Sequence, residues 1–308
     1  MSVQMVIARA RFRIAGQWSR IAARRSGPPS YEELQAGDLH DPPREIRRAH
    51  HCTVVEHRGA RAIWLDRNHA PAGVLVFLHG GSYVCGPFLD QWQYLSRLCL
   101  RTGMAGLLVD YRLAPQHPYP AALEDVLAVI DGARRERLLR PGAWSLIGDS
   151  AGGGLAVAVA ARLRDGAGDP PAALVLCSPW LDLAVADPEA RGNARVDAML
   201  TLDGLARHAA AYAGGRDLGD PLLSPLHGDP HGLPPTMIHS GTRELFLWDV
   251  RSWERRCREA GVTVVSREQP GGFHGYATAV ASIPEARHAA DEQAEFVVEA
   301  QAVEAGRA

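Results

Sequence analysis

From about residue 50 the chain alternates short apolar runs with longer helical stretches, and this alternation restricts its fold more than any other feature. Gly73–Leu78 and Ala105–Asp110 are apolar almost without interruption, the pattern of strands buried on both faces of a parallel sheet. Trp144–Gly148, Ala172–Ser178, Thr236–Ser240 and Val262–Arg267 follow in the same style, while Cys52–His57 and Arg61–Leu65 read as a hairpin turning at Arg58 and Gly59. Helical stretches fall between them at Leu89–Arg101, Ala121–Leu138, Ala151–Arg164, Phe246–Ala260 and Pro284–Ala300. The expectation is an α/β fold with a mostly parallel, eight-stranded, doubly wound sheet and helices on both faces. Two segments break the alternation: residues 1–48, and a helical insertion at Val185–Gly215. Such sheets bind ligands at the carboxyl ends of their strands, where insertions form caps. The layout is therefore one domain over 49–308 with a cap insertion at about 185–215, preceded by residues 1–48.

Composition excludes several chemistries. The net charge of −2 gives no electrostatic case for nucleic acid as a partner. All 33 basic residues are arginine, so there is no P-loop lysine, Schiff-base lysine or Ser–Lys dyad. Cys52, Cys85, Cys99, Cys177 and Cys257 show no metal-binding spacing and read as free thiols in a reducing, cytoplasmic setting. No apolar run approaches the about 20 residues of a membrane span, so stable membrane insertion is not expected. Met1–Arg25 is rich in arginine and has no acidic residue, with apolar positions at Val3, Ile7, Ala10, Ile14, Trp18 and Ile21. This is a basic amphipathic helix and not a signal peptide, which needs a continuous apolar core. Packing on the rest of the protein is the expectation, with organelle targeting or membrane-surface contact as the alternative.

Gly148-Asp149-Ser150-Ala151-Gly152 matches G-x-S-x-G. It follows an apolar run and opens an Ala- and Val-rich helical stretch, the strand–turn–helix context that the motif requires. The turn is tight enough that residues two before and two after the serine must lack side chains, and both are glycine. Ser150 is then held above the sheet as a nucleophile, with a helix N-terminus favouring negative charge nearby. Upstream, the strand Gly73–Leu78 runs into His79-Gly80-Gly81-Ser82-Tyr83. Adjacent glycines let backbone amides approach a substrate closely. The amides of Gly80, Gly81 and Ala151 are the expected oxyanion donors, and His79 is expected to brace the loop. Ser82, Tyr83, Cys85 and Asp149 are the candidate substrate contacts.

Together these residues resemble the hormone-sensitive-lipase-like (bacterial family IV) esterases of the α/β-hydrolase superfamily. The resemblance rests on HGGS at 79–82, DYRLAPQHPYPAALED at 110–125, GDSAGGG at 148–154, SPWLDL at 178–183, SPL at 224–226, GLPP at 232–235 and FHGY at 273–276. These occur in family order over roughly residues 50–280. Ser82 departs from the family's usual third glycine. The resemblance implies an N-terminal helical cap over the site and hydrolysis of carboxylic esters.

In such hydrolases the order along the chain is serine, acid, histidine. His274, flanked by glycines just past Val262–Arg267, is the expected base, whereas His288 falls inside the last helix. For the acid, Glu244 lies in the loop directly after Thr236–Ser240 and is preferred. Asp249 falls within the next helix beside its buried stripe, and Asp220 precedes the strand. Asp110, Arg112 and Glu124 read as ion-pairing residues that fix the loop after Ala105–Asp110. Met199, Leu200, Leu202 and Leu205 in the insertion read as acyl-pocket or packing residues. The expected reaction is hydrolysis of a small-molecule ester of short to medium acyl chain, through an acyl-enzyme, with no metal or organic cofactor. A lactonase, deacetylase or amidase would use the same machinery, and a non-catalytic relative would be expected to have lost a triad member. A homodimer is left open.

Overall fold

The structure, a computed structural model, describes residues 1–166, 168–279 and 283–305, excepting the side chains of 15–26 and 305. Three helices come first: α1 (Val3–Ser26), α2 (Tyr31–Gln35) and α3 (Arg44–Ala49). The sheet follows, with strands β1 (Cys52–His57), β2 (Ala60–Leu65), β3 (Val74–Leu78), β4 (Ala105–Asp110), β5 (Trp144–Asp149), β6 (Ala173–Cys177), β7 (Thr236–Gly241) and β8 (Val264–Gln269). Helices α4 (Leu89–Thr102), α5 (Ala121–Arg135), α6 (Ala151–Asp165), α9 (Leu247–Glu259) and α10 (Pro284–Ala305) supply the two outer layers. The insertion carries α7 (Pro188–Gly192) and α8 (Leu202–Ala213).

The eight strands pair in the order β1-β2-β4-β3-β5-β6-β7-β8. β1 and β2 are antiparallel to their neighbours, and β4, β3 and β5 through β8 run parallel. Every residue of β3, β5 and β6 is buried, as the unbroken apolar runs require. Period-two alternation divides them between two cores. Val74, Val76 and Leu78 join the core under α5, α6 and α9, while Leu75 and Phe77 join the core under α4 and α10.

The last strand begins two residues later than its apolar run. After α9 the chain turns left-handed at Gly261 (φ 78°), and the Val262 amide donates back to the Cys257 carbonyl. This is a helix-terminating motif that packs its apolar residue against the helix. Val262 is thus buried as part of a cap, and pairing starts at Val264.

The N-terminal segment divides into two. Residues 29–35 tie the insertion to the loop after β3: Tyr31 Oη donates to Arg207 O (3.3 Å), Arg207 Nη2 to Pro29 O (2.6 Å) and Gln35 Nε2 to Val84 O (2.9 Å). α1 instead lies on the other side, packed on α10 and on Phe273. Among its described side chains the buried apolar ones are Met5 and, in part, Ala8 and Phe12. The stripe expected to face inward is the exposed one, at Val3, Ile7, Ala10 and Ile14. The side chains of Trp18 and Ile21 lie outside the described residues.

The charged block after β4 also differs from expectation. Arg112 is held in a fork by Asp125, with Nη2 2.7 Å from Oδ1, and Glu124 is exposed. Helical phase decides this, because Asp125 and not Glu124 lies on the buried face of α5. Asp110 pairs with Arg61 (2.6 Å) and His40 (2.9 Å), holding the N-terminal segment to the sheet edge.

Candidate active site

Because β3 and β5–β8 run parallel, the loops after all five open at one edge of the sheet. Ser150 stands between β5 and α6 at φ 53° and ψ −120°, a left-handed backbone that a non-glycine residue holds only under constraint. The constraint is steric. A Cβ on Gly148 would collide with the Gly152 carbonyl, and one on Gly152 with the Leu78 carbonyl of β3. The Ser150 amide donates to Cys177 O (2.8 Å), and its carbonyl accepts from Trp180 N (2.9 Å). The serine is therefore locked by backbone contacts on both neighbouring strands.

His274 lies in the loop after β8. Its Nε2 is 2.9 Å from Ser150 Oγ, and its Nδ1 is 3.4 Å from Glu244 Oε2. The second distance is longer than a good hydrogen bond, a looseness common in catalytic pairs outside the transition state. Phe246 sets its ring edge-on against the imidazole, with centroids 5.1 Å apart. All three side chains are buried. The structure thus brings together Ser150, His274 and Glu244, while Asp249 lies inside α9 with Asp182 and Asp187 as its charged neighbours. Asp220 accepts the Leu222 amide within a turn (2.9 Å).

The loop after β3 requires one correction. The Gly80 amide, expected to face the substrate, donates instead to Asp149 Oδ1 at 2.8 Å. Asp149 is accordingly a brace and not a substrate contact; its other oxygen accepts from Gln91 Nε2 (3.0 Å). The backbone amide and the side-chain amide that Asp149 accepts lie 69 and 58 residues away in sequence. Among the described residues no acceptor is found for the amides of Gly81, Ser82 or Ala151. His79 does brace the loop: Nδ1 donates to Gly80 O (2.8 Å), the ring stacks on Tyr111 at 4.2 Å, and Tyr111 Oη donates to His79 O (2.5 Å). Tyr83 is buried and stacked on Tyr212 of α8 at 3.6 Å, joining the loop to the insertion.

Comparison with known proteins places the fold and the family. Residues 75–278 match the family described as the alpha/beta hydrolase fold. An acetyl-hydrolase of Streptomyces hygroscopicus is 36% identical over 270 residues, covering 87% of each chain. An esterase of Acinetobacter venetianus is 34% identical over 229 residues, covering 74% of this chain and 75% of its own. Among solved structures, EstE5 soaked with p-nitrophenyl butyrate superimposes with a TM-score of 0.86 at 28% identity, covering 98% of this chain and 100% of its own. An esterase of the bacterial hormone-sensitive lipase family gives 0.84 at 29% identity, covering 98% and 99%. The chain belongs to the hormone-sensitive-lipase-like esterases of the α/β-hydrolase fold.

Several features of this serine carboxylesterase could not be found from its motifs. Ser178, wholly buried at φ 46°, accepts the Gly275 amide (3.0 Å) and so holds the loop that carries His274. Two residues of the insertion hold the acid loop. Asn193 Nδ2 donates to Glu244 O (3.0 Å), and the Leu245 amide donates to Asp197 Oδ2 (2.8 Å). The sequence contained one weak signal for these, the SPWLDL match that begins at Ser178.

Burial alone would pull the His274 pKa down, but the Glu244 carboxylate outweighs it, helped by Asp197 and Asp149, and the pKa stands above the ordinary 6.5. Burial pushes Glu244 upward against the pull of His274 and Ser178. His79 is driven down to about 4 by burial, so it stays neutral and its Nδ1–H continues to donate to the loop carbonyl of Gly80. Burial raises Cys85 to about 12, and the thiol donates to Gly81 O (3.3 Å), which argues against a second nucleophile. In the insertion Leu205 is core, Leu200 and Leu202 pack against the core, and Met199 is exposed.

Proposed function

We propose that this esterase hydrolyses short- to medium-chain acyl esters through Ser150 as nucleophile, His274 as general base and Glu244 as its acid partner. The observation that carries the reading is Ser150 Oγ, held on a strained turn at the head of α6, 2.9 Å from His274 Nε2. His274 takes the Ser150 proton as Oγ attacks the ester carbonyl, and the tetrahedral oxyanion is received by the amides of Gly81, Ser82 and Ala151. His274 then gives the proton to the leaving alkoxide, leaving an acyl-Ser150. In the second half His274 deprotonates a water that attacks the acyl carbon, and returns that proton to Ser150 as the carboxylic acid departs. Glu244 keeps the Nδ1 proton in place and stabilises the imidazolium.

The donor set replaces Gly80 with Ser82 because the Gly80 amide is committed to Asp149. Only the backbone of Ser82 is needed, so the lost third glycine does not remove a donor. A short acyl group is supported by the similarity to an acetyl-hydrolase and to a protein soaked with p-nitrophenyl butyrate. Ser150→Ala is expected to lower turnover of p-nitrophenyl butyrate by about 10⁴-fold or more with the fold intact. Turnover near that of the wild type would overturn the assignment. A p-nitrophenyl ester series from acetate to palmitate is expected to peak at or below about eight carbons, and a maximum at palmitate would refute the chain-length reading.

A further inference from the structure

Helix α1 has two apolar faces, and only one is used by the fold. Met5, Ala8 and Phe12 point inward, with the Phe12 ring 5.2 Å from that of Phe273. On the opposite side Val3, Ile7, Ala10 and Ile14 form a stripe in solvent, with Val3 71%, Ile7 50% and Ile14 56% exposed. Val6 adds to its edge at 40% exposed. At about 100° per residue, Arg11 and Arg13 fall about 80° to either side of this stripe. Both are exposed. The apolar strip is therefore bordered by a cation on each flank. In the sequence the same spacing continues through Trp18 and Ile21 with Arg20, Arg24 and Arg25, and no acidic residue precedes Glu32.

This arrangement discriminates between occupants. A second copy of α1 would leave these arginines without acidic partners, since no acidic residue precedes Glu32. A neutral lipid surface would accept the apolar stripe and leave the cations without partners. An anionic lipid surface satisfies both, because the stripe enters the headgroup boundary while phosphates neutralise the flanking guanidinium groups. We propose that the outer face of α1 docks this esterase on an anionic lipid surface. No helix among the described residues is long and apolar enough to cross a membrane, so the helix lies on the surface instead of spanning it. Its inner face bears on the loop that carries His274, through Phe12 on Phe273 and through Arg9 Nη1 donating to Gly271 O (3.2 Å). Docking thus sets that loop about one helix diameter, about 10 Å, from the lipid. The docking rests on α1 and is independent of the acyl-chain reading.

The test uses the full chain, sedimented with vesicles of phosphatidylcholine alone and of phosphatidylcholine with about 30% phosphatidylglycerol. Binding is expected to be at least about tenfold tighter to the anionic vesicles and to weaken as salt is raised. Ile7→Glu/Ile14→Glu should abolish binding, and Arg11→Gln/Arg13→Gln should weaken it about tenfold or more. Both variants should hydrolyse soluble p-nitrophenyl butyrate at the wild-type rate, which separates loss of docking from loss of the fold or of catalysis. Equal binding to the two vesicle types, no binding to either, or undiminished binding by Ile7→Glu/Ile14→Glu would each overturn the proposal. So would a wild-type dimer, seen by sedimentation velocity, that dissociates in that variant, since the face would then belong to a second copy.

Discussion

The two halves of the active site are held by different physics. On the nucleophile side, Ser150 is fixed by backbone sterics: Gly148 and Gly152 press against each other and against β3, leaving no room for a Cβ. On the acid–base side, Glu244 and His274 sit on loops held by side chains from remote elements. Asn193 and Asp197 come from the insertion, Ser178 from the loop after β6, and Phe12 and Arg9 from α1. A steric lock is rigid and intolerant of change, whereas hydrogen-bonded loops can be tuned. The nucleophile half therefore needs one unvarying motif, and the acid–base half can be built from many residues.

That contrast can be broken experimentally. Gly152→Ala should have the largest effect, since its methyl meets backbone with nowhere to move. A loss of about 3 kcal/mol is expected, with Tm falling by several degrees and turnover falling with it. A wild-type Tm with unchanged turnover would show that sterics do not hold the elbow. Glu244→Ala should lower kcat by about 10³- to 10⁴-fold, against less than about tenfold for Asp249→Ala. The reverse order would move the acid role to α9. Burial, with Asp182 and Asp187 adding to it, pushes the Asp249 pKa to about 8, a poor setting for a permanent anion.

Asp197→Asn is a subtler probe of the acid–base half. The Asp197 charge helps to raise the His274 pKa, and His274 must be neutral to act as base. Activity is therefore lost as pH falls through that pKa, and removing the charge should move the acid limb of the kcat/KM profile to lower pH. A purely structural role would lower the rate without moving the limb. The smallest effect is expected at Cys85, whose thiol is buried and protonated. Cys85→Ala should keep kcat within about threefold, as expected of a packing residue, and a loss of 100-fold would return it to the catalytic list.

Sheet, helices and the turn that carries Ser150 were legible because they depend on short-range patterns. Strands buried on both faces must read as apolar runs, and the elbow must read as glycine, serine, glycine. The convergence of His274 and Glu244, the proposed base and acid, on Ser150 was legible from their places after β8 and β7. The departures at the site and in the block after β4 come from partners that local pattern does not reveal. Gly80 was assigned to the substrate because nothing nearby reveals that Asp149 takes its amide. Arg112 was grouped with Glu124 when Asp125 is the residue on the buried face of α5. Ser178, Asn193 and Asp197 lie 66, 51 and 47 residues before Glu244 and have no spacing that announces them.

By itself, then, the sequence determined the α/β architecture, the tight turn that holds Ser150 and the chain order of its proposed partners. Each of these follows from local periodicity or from the steric demands of one tight turn. Tertiary structure alone decided which amides remain free for an oxyanion, which charges surround the imidazole, and which face of α1 is buried. Periodicity shows that a helix has apolar positions but not which of two apolar faces finds the core. In α1 the core took Met5, Ala8 and Phe12, and left Val3, Ile7, Ala10 and Ile14 outside.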